Sequence, residues 1–227
     1  MPTKRLLELR ASVRIRGEFD DSYFPDAQIN AWINESIADL WDLIIEVDDA
    51  RSLEQSDIDV VSGTRDYDLP DDFYIFMGAD IVDDTSGSGY RTLARYVWGE
   101  RNDGLASTNK WETRYEVRGG KIRFHPTPNW NDTVRLSYIK TAPILTSDYD
   151  NFDTINAWTE YVILDVLIKC AAKEDVDSKT WEKAKANQER RIRRIGTIDR
   201  GEPKRILNIY RSRKSFHRRK RYVPWSR

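Results

Sequence analysis

The chain has 227 residues, of which 39% are hydrophobic and 33% are charged, so it is long enough and apolar enough to form its own core. Its mean hydropathy is −0.70, and no apolar run approaches the roughly 20 residues that a membrane span needs. We therefore expect no transmembrane helix, no secretory signal and no membrane partner. The single cysteine, Cys170, lies in an apolar run, which predicts a buried thiol and a reducing folding compartment.

Charge is distributed unevenly along the chain, although the net charge is only −1. Residues 199–227 hold 11 Lys and Arg against Asp199 and Glu202, a net charge of +9. Residues 1–198 hold 26 Lys and Arg against 36 acids, a net charge of −10. We call these parts the acidic body and the basic tail. Since clustered cations supply most of a protein's affinity for phosphate, only the tail is suited to nucleic-acid binding.

The N-terminal part of the acidic body predicts two helices. The stretch "TKRLLELRASVRIRG", residues 3–17, predicts a short amphipathic helix with Thr3 as its cap and Gly17 as its end. Residues 26–47 carry apolar side chains at i, i+3 and i+4 spacing, which predicts a longer helix. Asp26 suits the N-cap of this helix, because a carboxylate accepts hydrogen bonds from the first free N–H groups.

From about residue 52 to residue 140 the apolar period changes to two, which predicts a small β domain. Within it, Gly119 and Gly120 lie between two alternating runs and predict a two-residue hairpin turn with positive φ at both positions. The run "DTVRLSYIK" predicts another strand. The stretch "VDDTSGSGY" and residues 99–110 predict loops, the second long enough to form a mobile projection.

Helical patterns return after residue 152. Asp153 is the predicted cap of a helix that is apolar nearly all round, and Asp177 or Ser178 caps a second helix that ends at Gly196. The sequence therefore predicts an α+β fold, in which a helical bundle of N- and C-terminal helices carries an inserted small antiparallel β domain and an extended C-terminal tail. The predicted boundaries are 1–50, 51–146, 147–198 and 199–227.

The sequence shows little sign of catalytic chemistry. One cysteine and two histidines, His125 and His217, do not provide a Cys/His zinc site, and no phosphate-binding glycine loop is present. We interpret His125 as structural. Acidic pairs could supply a two-metal nuclease, but each lies at a turn or helix end, where acids usually cap or solvate. These pairs are Asp20–Asp21, Asp48–Asp49, Asp71–Asp72 and Asp83–Asp84. We expect no catalytic residue, metal or cofactor.

The eight tryptophans divide into three groups. Three of them, Trp98, Trp111 and Trp130, stand in or beside the β region. Four lie at helical positions and predict packing in the core, namely Trp32, Trp41, Trp158 and Trp181. Trp225 instead follows a proline in a cationic terminus, where nothing in its own segment can bury it. An exposed aromatic residue in such a segment indicates an anchor for a pocket on a partner.

The order of these patterns resembles a known family. The helix over residues 26–47 is followed by "YDLPDDF", "YEVRGGKIRFHPTP", "LSYIKTAPILT" and an apolar helix led by a tryptophan. Residues 3–198 in this order resemble the head-to-tail adaptor proteins of tailed bacteriophages. The nearest groups are the tail tubular protein A proteins of short-tailed phages and the adaptors of gene transfer agents.

The resemblance implies a structural protein of the virion, not an enzyme. Such adaptors form a ring of twelve subunits beneath the portal, continue the DNA channel toward the tail, and extend their C termini against the portal. The implied partners are the portal protein, a tail nozzle or other tail proteins, further copies of the chain, and duplex DNA passing through the lumen. Assembly in the host cytoplasm is also implied. The portal-binding residues implied here are Arg218, Arg219, Lys220, Arg221, Tyr222, Val223, Pro224 and Trp225.

The residues by themselves leave three functions open. A polar segment with aromatic anchors suits a structural adaptor that docks on an acidic partner, and an acidic body suits a channel through which DNA slides. The basic tail also suits a nucleic-acid-binding protein. The third possibility is a metal-dependent nuclease that uses the Asp pairs.

Overall fold

The computed structural model describes residues 3–19, 22–47, 52–83, 89–100, 109–153 and 158–199, with side chains as far as Arg194 except at Thr3, Asp83, Glu100 and Asp153. These residues form a mixed α+β structure. Its helices are α1 Leu6–Gly17, α2 Asp26–Val47, α3 Thr159–Glu174 and α4 Lys179–Asp199. Its strands are β1 Thr3–Arg5, β2 Leu53–Val60, β3 Asp66–Asp68, β4 Phe73–Asp83, β5 Gly89–Thr92, β6 Ala94–Arg95, β7 Arg114–Arg118, β8 Lys121–His125, β9 Asp132–Lys140 and β10 Asn151–Asp153.

The four helices pack around α3, which contacts α1, α2 and α4. Its side chains from Tyr161 to Leu167 are all buried, because this helix is apolar on nearly every face. The core that it shares with α1 and α2 includes Leu9, Ile33 and Leu40, each fully buried. Each such side chain contributes about 1.5–3 kcal/mol to folding through burial. We refer to the four helices as the helical part.

The strands from β2 to β9 form two four-stranded sheets, which we call the β part. The strand orders are β2-β9-β4-β5 and β3-β8-β7-β6. Their inner faces share a separate core, with Ile81, Phe124 and Leu136 fully buried. The long strand β9 pairs with both β2 and β4, so the first sheet is organised around it.

The predicted hairpin is confirmed. β7 and β8 pair in antiparallel register up to Arg118 opposite Lys121. Gly119 and Gly120, which join them, have φ of 61° and 74°. A residue with a Cβ is strained at such angles, so glycine is required for this tight two-residue connection.

Four predicted helix boundaries are wrong. Asp26 is the first residue of α2 and not its N-cap, because the Ile29 N–H donates to the Pro25 carbonyl at 3.2 Å. Thr3 does not cap a helix, because it lies in β1, which pairs with β10, and α1 begins only at Leu6. Asp153 is likewise the last residue of β10, and Trp158 is the N-cap residue of α3. The last helix does not end at Gly196 but continues to Asp199.

The β part also differs from the prediction in one pairing. Residues Ala94–Arg95 of β6 run parallel to β7, so the second sheet is not wholly antiparallel. The predicted loop over residues 99–110 begins and ends in short 3-10 turns, and its centre, 101–108, lies outside the described residues. None of the described helices has the length and apolar character needed to cross a membrane.

Candidate interaction surfaces

The predicted portal-binding residues, 218–225, lie outside the described residues. What the structure describes is the base from which the basic tail leaves, the helix α4, which is described as far as Asp199. The position of α4 therefore decides where the tail begins. Two sets of contacts hold it.

The first set is a buried ionic cluster around Asp165 of α3, a residue that is only 5% exposed. Lys185 of α4 donates to Asp165 Oδ1 at 2.6 Å, and Ser36 of α2 donates to Oδ2 at 2.5 Å. Lys169 Nζ lies 3.2 Å from the same Oδ2. One carboxylate thus joins three helices, and its buried charge is compensated by two cations and a hydroxyl group.

The pKa values of this cluster favour the charged pair. Burial alone raises the pKa of Asp165, but hydrogen bonds from Lys185 and Ser36 and the charge of Lys169 outweigh it, and the net pKa lies below the ordinary value. Burial lowers the pKa of Lys185, but the hydrogen bond to Asp165 raises it above its ordinary value. Both groups are therefore ionised at neutral pH.

The sequence contains a signal for this cluster. Asp165 is the one acid inside the apolar run "YVILDVLI". A charge in such a helix needs a partner from another element, because an unpaired buried carboxylate is costly.

The second set of contacts lies near the far end of α4. Ile192 is fully buried in the helical core, and Arg193 forms an ion pair with Glu46 of α2. Lys185 and Ser36 bind the same Asp165 carboxylate, and further along both helices Arg193 of α4 pairs with Glu46 of α2. Because the later residue of α4 meets the later residue of α2, the two helices run in the same direction. The tail therefore leaves the helical part near the C-terminal end of α2.

A groove opens at the seam between the helical part and the β part, and we call it the seam groove. It has a volume of about 400 Å³. Its walls are Asn34, Ala38, Trp41 and Asp42 of α2, Tyr74 of β4, and the link 141–144. The Trp41 indole N–H donates to the Lys140 carbonyl at 2.9 Å, which fixes the ring in the wall. Ile144 is 74% exposed at the rim.

One wall residue of the seam groove, Asp42 of α2, is acidic. The helix α2 carries five acids and no Lys or Arg between Asp26 and Val47. Glu35 and Glu46 are paired with Lys169 and Arg193. Asp39 and Asp42 form no ion pair within the part of the chain that is described, although Asp42 accepts a hydrogen bond from the Tyr74 hydroxyl at 2.8 Å. That hydrogen bond raises the pKa of Tyr74.

A second apolar surface lies on α1. Leu7, Ala11 and Ile15 are exposed at i, i+4 and i+8, on the side of the helix opposite its buried residues, and Ile15 is 78% exposed. The nearby Arg5 guanidinium lies 6.0 Å from the centre of the Tyr149 ring.

His125 is held inside the β part, in agreement with its interpretation as structural. Its Nδ1 lies 2.6 Å from Arg65 Nη2, and its Nε2 lies 3.2 Å from the Glu116 carboxylate. The Tyr96 ring stacks on it at 3.9 Å. Burial, followed by the charge of Arg65, lowers its pKa. A neutral imidazole that accepts from Arg65 and donates to Glu116 satisfies both neighbours.

The acidic pairs do not form a site in the described chain. Asp20–Asp21, Asp48–Asp49 and Asp84 lie outside the described residues. Asp72 accepts a hydrogen bond from Tyr138 at 2.8 Å; burial, with this bond, raises the pKa of Tyr138 to about 12. The described residues contain no group of three or more His, Cys, Asp or Glu that could hold a metal ion.

The predicted core residues are placed as expected. Trp158 is buried, and Trp32, Trp41 and Trp181 pack against the helical core, so the four helical tryptophans are confirmed as packing residues. Cys170 is fully buried, and burial raises the pKa of its thiol to about 12. A thiol with this pKa is protonated at neutral pH and unreactive.

Comparison with protein families identifies the class of protein. Residues 4–211 match the model of a family of phage head-to-tail adaptors, so the chain is a structural protein of a phage virion. That family is the SU10 adaptor protein family, and because the match covers most of the chain, the chain belongs to it. Comparison with curated proteins gave no match.

The family match confirms the resemblance to phage adaptors, and it is compatible with the prediction that the chain is not an enzyme. Membership implies interaction with portal and tail proteins. The finer likeness to tail tubular protein A or to gene transfer agent adaptors stays a prediction. The match includes residues 200–211 of the basic tail but ends before the predicted portal-binding residues, 218–225.

Proposed function

We propose that this chain forms a ring between the portal and the tail of a phage virion and continues the channel through which the DNA passes. The observation that carries the proposal is the family match over residues 4–211. Identical subunits that contact one another through two different surfaces form a closed ring when the rotation between neighbours closes. We propose twelve subunits and assembly in the host cytoplasm, as the resemblance implies.

The division of the chain supports this proposal. In the proposed division, the helical bundle of residues 1–50 and 147–198 forms the body of each subunit. The β domain of residues 51–146 is an insertion in this bundle, and residues 199–227 extend as the docking tail. The cores of the helical part and the β part are separate clusters, which fits such a division.

The tail is proposed to dock on the portal through residues 218–225. Four consecutive cations from Arg218 to Arg221 guide it onto an acidic surface, and Tyr222 and Trp225 provide anchors. Each contact is weak by itself because the segment loses conformational entropy on binding. Repetition around a ring multiplies these contacts into a stable attachment.

The acidic body suits a DNA channel. Residues 1–198 carry a net charge of −10, and like charge opposes adhesion of the phosphate backbone. The duplex therefore passes the ring without sequence-specific binding. A distal partner, the tail nozzle or another tail protein, completes the channel.

A truncation tests the docking tail. The chain ending after Arg213 retains every described residue, so its circular dichroism and urea unfolding should match those of the full chain. Co-purification with the portal should be lost. Retained portal binding would refute the docking assignment.

The same truncation distinguishes the alternative of a nucleic-acid-binding protein. Under that alternative the full chain binds duplex DNA with an affinity that falls steeply with added salt, and the truncation abolishes this binding while portal binding is unaffected. The adaptor proposal predicts weak DNA binding by the full chain and an effect of truncation on portal binding.

A further inference from the structure

We propose that residues 204–211, "KRILNIYR", occupy the seam groove of their own chain and fasten the first part of the basic tail against the body. The inference concerns the tail before the portal-binding residues and does not depend on portal docking.

The seam groove lacks a described occupant although its walls are apolar. Trp41, Ala142 and Pro143 line it, and Ile144 stands exposed at its rim. A second cavity of about 560 Å³ shares the link 141–144 and extends the concave surface toward Phe152. An exposed concave apolar surface of this kind is typical of a binding site.

The segment matches the groove in composition and charge. Ile206, Leu207, Ile209 and Tyr210 place four apolar side chains within five residues. Lys204, Arg205 and Arg211 flank them, and the segment contains no acid. The walls offer Asp42 and, in the adjoining second cavity, Asp72, which form no ion pair among the described residues. Apolar side chains can therefore fill the groove while the flanking cations meet these carboxylates.

The length of the connection permits binding within one chain. The ion pair with Glu46 places Arg193 at the same height as Glu46 along the parallel helices. Ala38 lies eight residues before Glu46, and Asp199 lies six residues after Arg193. At about 1.5 Å per helical residue, Asp199 is therefore about 21 Å from Ala38 along the helix direction. The ten residues from Asp199 to Ile209 span roughly 33 Å when extended. Since the tail is attached to the same molecule, its effective concentration at the groove is high.

The family match supports a separate role for this segment. Residues 204–211 lie within the matched range, which ends at 211, whereas 218–225 lie beyond it. The first part of the tail therefore belongs to the sequence that matches the family, and the second part does not. Docking of the first part fixes the point from which the second part leaves each subunit.

Photo-crosslinking from inside the groove tests the inference. Benzoylphenylalanine replaces Ile144 in the full chain, and an exposed replacement at Ile15 on α1 is the matched control. After irradiation, the tryptic peptide 206–211 should be attached to residue 144 within a monomeric product. The Ile15 probe should not capture this peptide.

Variants then identify the side chains. Replacing both Leu207 and Ile209 with Asp should reduce the cross-link at least tenfold, whereas Val223→Asp in the second part of the tail should leave it unchanged. As a second readout that leaves Ile144 intact, Ala38→Cys together with Leu207→Cys should form an intramolecular disulfide, since the native Cys170 is buried and unreactive.

Several outcomes would overturn the inference. The probe at position 144 could cross-link to a second copy, either at its exposed α1 surface or at its residues 206–211. The probe could also attach to any other segment, or neither the cross-link nor the disulfide could form. The chain truncated after Arg213 separates this inference from the proposed function. It retains residues 204–211, so the cross-link should persist while portal binding is lost. If the truncated chain loses portal binding and also shows no cross-link, the proposal that residues 218–225 dock on the portal stands. Occupation of the seam groove by residues 204–211 is then refuted.

Discussion

Lys185 Nζ lies 2.6 Å from Asp165 Oδ1 and joins α4 to the centre of the helical core. Because α4 carries the basic tail, this contact ties the base of the tail to the most buried helix of the protein. Ser36 extends the connection to α2 through the other carboxylate oxygen. The basic tail therefore begins on a helix that buried charge holds in place.

Removal of one partner should be strongly destabilising. Lys185→Met keeps the length of the side chain but leaves the Asp165 carboxylate without its closest cation. Leaving a buried charge uncompensated costs about 3 kcal/mol or more, so the free energy of unfolding should fall by about that amount in urea titrations.

A matched control uses the exposed pair of Lys179 and Asp177, whose side chains are 85% and 66% exposed. Lys179→Met should change the free energy of unfolding by less than about 1 kcal/mol, because solvent screens such pairs. Equal effects of the two substitutions would contradict a structural role for the buried cluster.

Stability should fall as the pH is lowered from 7 to 5. Burial lowers the pKa of His125 in the folded state below its ordinary value near 6.5. The unfolded chain therefore binds a proton more readily, and this contribution to stability is present above about pH 6.5 and is lost as the pH falls through the folded pKa. His125→Gln should flatten this part of the profile, measured as urea unfolding at a series of pH values.

His217→Gln is the control for the pH experiment, since it removes the other histidine of the chain, which lies in the basic tail. It should leave the dependence between pH 7 and 5 unchanged. Two results would show that the buried imidazole does not control the pH dependence of stability. One is a wild-type profile that is flat in this range, and the other is an unaltered slope in the His125 variant.

Replacing a glycine of the hairpin turn with a residue that has a Cβ should destabilise the protein. Gly120 has a φ of 74°, and Gly120→Ala should destabilise the protein by about 1–2 kcal/mol, the cost of a left-handed conformation for a residue with a side chain. Gly78 does not have a positive φ, and nothing lies within 4 Å of the place that a Cβ would occupy, so Gly78→Ala should have almost no effect. Thermal unfolding of the two variants checks the difference, and equal melting temperatures would disprove the strain.

Trp225 should act as an anchor on the portal. Trp225→Ala should weaken binding to the portal by about 2 kcal/mol, roughly 30-fold in Kd, because aromatic anchors carry much of the energy of an interface. Trp98→Ala, at a 64% exposed tryptophan of the β part, should leave the affinity unchanged. Surface plasmon resonance with immobilised portal measures both, and an unaltered Trp225 variant would remove this residue from the docking element.

Local patterns predicted the elements that depend on neighbouring residues. The apolar period of α2 and the Gly119–Gly120 hairpin are encoded within short segments, and both are confirmed. The strand β1 was missed because it exists through pairing with β10, about 150 residues away, and this pairing also explains why Thr3 and Asp153 do not cap helices. Glycine costs only about 1 kcal/mol inside a helix, so α4 continues through Gly196.

The surfaces were harder to predict than the elements. The seam groove combines α2, Tyr74 of β4 and the link 141–144, which come from three distant parts of the sequence. No local pattern indicates that these elements meet. Asp165 had a visible signal, a lone acid in an apolar helix, but its partners Lys185 and Ser36 became known only from the packing of the helices.

The central claim is that the chain is a ring-forming adaptor whose tail docks on the portal. Electron microscopy of the full chain bound to its portal tests this claim most directly. The account predicts a closed ring beneath the portal, an open central channel, and density for residues 218–225 against the portal surface. A complex without a ring, or a ring whose residues 218–225 contact only their own subunit, would contradict it.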